Sequence, residues 1–202
     1  MSSALLEGIL EHMAIVSIAV LISSVLGIIL GVIAYWVRFL DSVILWVSEV
    51  LQTIPSLALL ALLMIIFGLG DITLIVGLVL YALLPIVRNT YTGLKNVSPH
   101  LKDAARGMGM SKMQRLFKVE IPLSVPLIFS GIKIALVNSL SVAVMGVLIG
   151  ANGLGTIIYR GIQSRNMENI LIGAIPVVVM ALVFDFGMSK IEKKLIRRTK
   201  QT

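Results

Sequence analysis

Apolar residues run through this chain in five long blocks, and one extended polar stretch divides the third block from the fourth. The blocks cover about residues 13–37, 43–68, 72–91, 125–150 and 169–188. Each is about 20 residues or longer, which is what a helix needs to cross a ~30 Å hydrocarbon core. A bilayer offers no hydrogen-bond partners to the backbone, and a helix satisfies its own. The pattern predicts an all-α membrane protein with five transmembrane helices, forming a single transmembrane domain over residues 1–202.

Within the blocks, a few positions break the apolar run. Gly27 and Gly31 form a small-xxx-small pair, suited to close packing against another helix. Tyr35 and Trp36 mark a membrane interface. In the second block Glu49, Gln52, Thr53 and Ser56 fall at i, i+3, i+4 and i+7, one continuous polar face, and Pro55 is expected to kink or loosen the helix there. An acid inside a span faces a cavity or a partner. This face therefore either hydrogen-bonds to neighbouring helices or borders a translocation pathway. The pathway reading adds Tyr81 from the third block and Lys133, Asn138 and Ser141 from the fourth, where Ser139 also lies. Lys133 either snorkels to the interface or pairs, with Glu49 and Asp185 as the competing partners. Between the last two blocks, residues 151–168 open with Gly153 and Gly155. Ile157, Ile158 and Ile162 there suit a short re-entrant or interfacial helix.

Composition agrees with the class. The 202 residues are 58% hydrophobic and 13% charged, and the mean hydropathy is +1.03. A soluble domain of this size is never that apolar. The net charge of +7 would suggest nucleic-acid binding in a soluble protein. Here the cations cluster beside apolar blocks, so topology explains them and no nucleic-acid partner is expected. Most lie in the central loop, residues 95–122, and in the tail with Lys190, Lys193, Lys194, Arg197, Arg198 and Lys200. Five spans put these two regions on one side. The positive-inside rule makes that side cytoplasmic, with the N-terminus outside and the C-terminus inside. No cleavable signal peptide is expected, because no basic region precedes a first block long enough to span. Cysteine is absent and there are two histidines, which excludes disulfides, thiolate chemistry and a histidine metal cluster. No metal site is expected, and no nucleophile–base set stands out, so the chain is not read as an enzyme.

The polar stretch reads SPHLKDAARGMGMSKMQRLFKVEIP from Ser98 to Pro122. Ser98 and Pro99 suit the cap and first position of a helix. Leu101, Ala104, Ala105 and Met108 then share one helical side. Gly107 and Gly109 permit a turn, Ser111 and Gln114 have capping-box spacing for a second helix, and Pro122 ends that helix or begins the next element. Such a stretch either rests on anionic lipid headgroups or docks a protein.

The order of residues favours docking. Asp103-Ala104-Ala105, then Gly109 after three intervening residues, and Val119-x-Ile121-Pro122 after nine more resemble the EAA motif of ABC importer permeases, with Asp for Glu, Val for Ile and Ile for Leu. The segment from Gln52 to Leu63 and the run from Gly153 through Asp185 are similar to permeases for glycine betaine, carnitine and choline. The resemblance implies the type I importer permease fold. It also implies a coupling helix carried by Leu101, Asp103, Ala104, Ala105, Met108 and Gly109. The implied partners are cytoplasmic ATP-binding subunits holding ATP-Mg, a second permease subunit of the same or a different chain, and an external solute-binding protein. This chain itself is expected to bind no cofactor, and it has no phosphate-binding Gly-x-x-x-x-Gly-Lys-Ser/Thr loop. The implied function is alternating-access import of a quaternary ammonium osmoprotectant across the bacterial cytoplasmic membrane. The alternatives are another small solute, such as an amino acid, or a channel or carrier working without ATP.

Overall fold

The computed structural model describes residues 2–199, so Lys200 of the basic tail lies outside it. Among the described residues all regular structure is helical. Three predicted blocks are single long helices: α1 (Ser2–Trp36), which begins well before its block, and α4 (Asp71–Lys95) and α9 (Met167–Thr199), which extend past theirs at both ends. The short segment before the first block is thus part of α1. His12 there is buried, and its Nε2 lies 3.0 Å from the Leu140 carbonyl.

The second block departs from prediction. It forms two helices, α2 (Asp41–Thr53) and α3 (Ser56–Phe67), that meet at 100°. Pro55 is the cause. A proline disfavours helical backbone in the residue before it and supplies no N–H of its own. Ile54 is accordingly extended, with φ −68° and ψ 125°. The expected kink is a complete break.

The fourth block also differs. After α5 (Pro99–Gly107), a helical run begins at α6 (Lys112–Arg115) and passes through a wide π turn, Leu116–Glu120. It continues as α7 (Ile121–Ala143) and a tightened turn, Val144–Ile149. Pro122 therefore opens α7, in the first turn, where no N–H is required. Gly150 ends the run with φ +74°, a left-handed conformation that favours glycine. A short helix, α8 (Leu154–Gln163), lies in the stretch where the isoleucines suggested one, and it packs on α9.

The core lies where α1, α4 and α7 meet. Val16 and Ala19 of α1, Leu74 and Leu78 of α4, and Leu140 of α7 are all buried there. α1 lies close along α4 because of the paired glycines. A β-carbon on Gly27 would lie 2.8 Å from Ile86 Cβ, and one on Gly31 would lie 2.6 Å from Thr90 Cβ. α4 and α7 approach through Gly131, whose absent side chain makes room for the Pro85 carbonyl. On one side of the bundle the α3–α4 turn is tied to the α7–α8 loop: Gly70 N–H donates to the Ile149 carbonyl, and Asp71 accepts from the backbone and side-chain amides of Asn152.

Candidate functional site

The segment matched to the EAA motif is an exposed helix–turn–helix. α5 starts with Pro99 in its first turn. It ends at Gly107, and Gly109 just beyond, with a φ of +77°, reverses the chain. Both halves of the Ser111–Gln114 capping box form, at 3.2 and 2.9 Å, and start α6. Leu101, Asp103, Ala104, Met108 and Gly109 are exposed, with Leu101 at 45% and Met108 at 69%. Ala105 differs from the stripe expected of it: it is 1% exposed and packs into its own chain. Asp103, in the place of the motif's glutamate, pairs with Arg106 at 3.0 Å. Met113 and Phe117 are also exposed, so apolar surface continues past the turn.

Beneath this surface lies a charged cluster that sequence reasoning missed. Glu120 is 1% exposed and accepts from Arg115 Nε at 2.6 Å. The two are five residues apart, which on an α-helix separates side chains by well over a quarter turn. The π turn widens the spiral and brings them together. The only signal in sequence was a single acid after the cations Lys112, Arg115 and Lys118. Nearby, the Lys102 ammonium donates to the Tyr35 hydroxyl and the Leu94 carbonyl. Burial holds that ammonium below the ordinary lysine range, against the raising effect of the Glu120 carboxylate.

A second feature lies between the helices. A cavity of about 300 Å³ is lined by Gln52, Tyr81, Ala82, Ala135, Asn138, Ser139, Ser141 and Val142. Four of the predicted pathway residues, Gln52, Tyr81, Asn138 and Ser141, are thus brought to one wall from α2, α4 and α7. Ser139 joins them. Asn138 and Ser141 are exposed, so the cavity opens on one flank of the bundle. Its lining carries amide, hydroxyl and one aromatic ring but no charge. Its volume is at the lower end of the roughly 300–1,000 Å³ typical of small-molecule sites.

The other four pathway candidates are not in its lining. Glu49 pairs with Arg88 at 3.6 Å, with side chains 47% and 63% exposed. Thr53 donates back to the Val50 carbonyl, and Ser56 lies 3.4 Å from the Met145 sulfur. Lys133 pairs with neither Glu49 nor Asp185. It donates to Glu192 at 2.8 Å and Ser189 at 3.3 Å, both near the charged end of α9. A lysine stem reaches well beyond its own helical turn, which is why depth counted along α7 misplaced its head. Among the described residues no cluster of His, Asp or Glu suits a metal ion.

Comparison with known proteins fits this architecture. Residues 23–200 match the family described as "Binding-protein-dependent transport system inner membrane component". The chain is 40% identical to the carnitine transport permease protein OpuCD of Listeria monocytogenes, over 96% of this chain and 87% of that one. It is also 40% identical to the glycine betaine/carnitine/choline transport system permease protein OpuCD of Bacillus subtilis, over 94% and 83%. It shares 36% identity with the osmoprotectant import permease protein OsmW of Salmonella typhimurium, over 90% and 87%. The fold superposes on a chain of the MetNI methionine ABC transporter in an inward-facing conformation, with a TM-score of 0.88 and 25% identity, covering 96% of this chain and 97% of that one. It is the type I importer permease fold. The family implies ATP use by a partner ATPase, together with a second permease and a substrate-binding protein. The chain belongs to the binding-protein-dependent transport family and is a membrane-embedded permease subunit of a bacterial ABC importer, while ATP hydrolysis resides in a separate subunit.

Proposed function

We propose that this chain works as one of a pair of permease subunits that import a quaternary ammonium osmoprotectant of the glycine betaine, carnitine or choline type. The observation that carries the reading is 40% identity, over nearly the whole length, to relatives named for those solutes. The chain forms one transmembrane domain with its N-terminus outside and its C-terminus inside. α5 then faces the cytoplasm and offers Leu101, Asp103, Ala104, Met108 and Gly109 to an ATP-binding subunit carrying ATP-Mg. The exposed, small-residue surface of α5 suits a close-fitting groove. ATP-driven closure of that partner moves α5 and, through the rigid run from α6 into α7, the spans.

The cavity bears on how firmly such a solute is held within the membrane. A quaternary nitrogen donates no hydrogen bond and is hosted by aromatic faces and carboxylates. The lining supplies the Tyr81 ring and polar groups without a carboxylate, and Glu49 is already opposed by Arg88. Contact in the membrane is therefore weak and transient, and selection rests with the external binding protein.

The test is reconstitution of the whole transporter in liposomes with its ATPase and binding protein, following ATP-dependent accumulation of labelled glycine betaine, carnitine and choline. Accumulation of one of them, lost in Ala104→Trp together with ATPase association, is expected. Energised uptake of methionine but none of the quaternary amines would overturn the substrate class. Ala104→Trp with full ATPase association would overturn the docking role of α5.

A further inference from the structure

α5 stands apart from the spans, with its close packing against α6 and the π turn. Its connection to α4 is covalent, through the short link at residues 96–98, and its connection toward α7 runs through α6. α1 has no such link. Tyr35, in the last turn of α1, is separated from Lys102 by 67 residues. The Lys102 ammonium donates to the Tyr35 hydroxyl at 3.1 Å and to the Leu94 carbonyl at 3.0 Å. Leu94 is in the last turn of α4, where helix carbonyls lack intrahelical donors, so this ammonium fills a vacancy in the backbone. One charged group thus spans α5, α1 and α4.

The cluster behind it is fixed. The buried Glu120 carboxylate, held by Arg115, acts electrostatically on both Lys102 and Tyr35. Glu120 ends the π turn and is followed directly by α7. A lysine that served only to solvate the segment would extend into water. Lys102 turns inward and spends its donors on two different spans.

We propose that Lys102 is the positioning residue that makes α1 follow α5, with the buried Glu120–Arg115 pair as the anchor on the α7 side. The inference rests on α5 being the surface the ATPase grips. Without Lys102, displacement of α5 still reaches α7 through the continuous helix, but α1 loses its direct tie to α5 and follows only through its packing against α4 and α7. ATP is then hydrolysed with little movement of solute.

The experiment uses the full transporter in liposomes and reads three quantities: ATPase retained on purification, ATP hydrolysis, and solute accumulated per ATP. Lys102→Met keeps the apolar stem and removes the donors. It is expected to retain the ATPase and its hydrolysis while solute per ATP falls about tenfold, within the usual range of coupling between linked sites. Lys102→Arg restores most of the ratio. Tyr35→Phe, which removes one hydroxyl, lowers the ratio in the same direction and serves if Lys102→Met does not assemble. An unchanged ratio in Lys102→Met, or in Tyr35→Phe where that variant must serve, overturns the proposal. These readings are separate from Ala104→Trp, whose retention of the ATPase would remove the docking premise instead.

Discussion

The Tyr81 hydroxyl, on α4, donates to the Ile54 carbonyl at the break between α2 and α3. Gln52 returns the contact, donating through Nε2 to the Tyr81 carbonyl at 3.1 Å. Pro55 ends α2 and leaves carbonyls of its last turn without helical donors. Tyr81 satisfies one of them. The broken span and the polar cavity are thus held in register by the same residue.

Removing that hydroxyl leaves the Ile54 carbonyl short of a partner, at a loss of about 1 kcal/mol for a partly buried bond. Tyr81→Phe is expected to lower the melting temperature of the purified protein slightly and to reduce uptake. Tyr81→Ala also removes the only ring in the cavity, and it should abolish uptake with assembly and ATPase stimulation intact. Wild-type uptake in Tyr81→Ala would remove Tyr81 from the pathway.

The α1–α4 contact admits no added carbon on the glycine side. A β-carbon on Gly31 would lie 2.9 Å from the Val87 carbonyl oxygen and closer still to Thr90. Gly31→Ala should destabilise by about 1–3 kcal/mol, the usual range for overpacking. Thr90 carries the opposite prediction. Its hydroxyl is buried without a hydrogen-bond partner, so Thr90→Val should be neutral or stabilising. Thermal unfolding in detergent compares the two, and a Thr90→Val protein less stable than Gly31→Ala would contradict the packing.

The Lys133–Glu192 pair fastens α7 to α9 with each side chain about one-fifth exposed, 20% and 19%. Lys133→Met leaves the Glu192 charge unopposed and should cost on the order of 1–2 kcal/mol, below the fully buried case because water still reaches it. Replacing both by Met should recover most of the loss. A double variant as unstable as the single one would show that the pair contributes nothing as a pair.

Glu120 is the stronger case. Glu120→Ala strands Arg115, whose side chain is 13% exposed, and should cost about 3 kcal/mol. By contrast Ser111→Ala loses only the cap of α6, about 1 kcal/mol. Limited proteolysis of residues 110–120 should separate the two, with Glu120→Ala cleaved much faster.

The amino-acid order by itself determined the class and most of the helices. Apolar runs of bilayer length admit no other backbone than helix, so α1, α4, α7 and α9 were legible, as were the paired glycines and the Ser111 capping box. Pro55 announced a disturbance, but its size was decided by Tyr81 and Gln52, which stabilise an open break that a local rule reads as a kink. The polar face at 49, 52, 53 and 56 was visible, yet of the four only Gln52 lines the cavity, because Arg88 takes Glu49, Thr53 bonds back to the Val50 carbonyl and Ser56 meets the Met145 sulfur. Ala105 shared a helical side with Ala104, but its burial depends on which side α6 and the π turn cover. Glu120 and Arg115 show the limit most plainly. Periodicity pairs residues three or four apart, and five apart becomes a neighbour only when a turn widens. Local chemistry sets where helices start, stop and cross the bilayer. Which charges meet depends on the packing of distant segments, and no spacing along the chain records it.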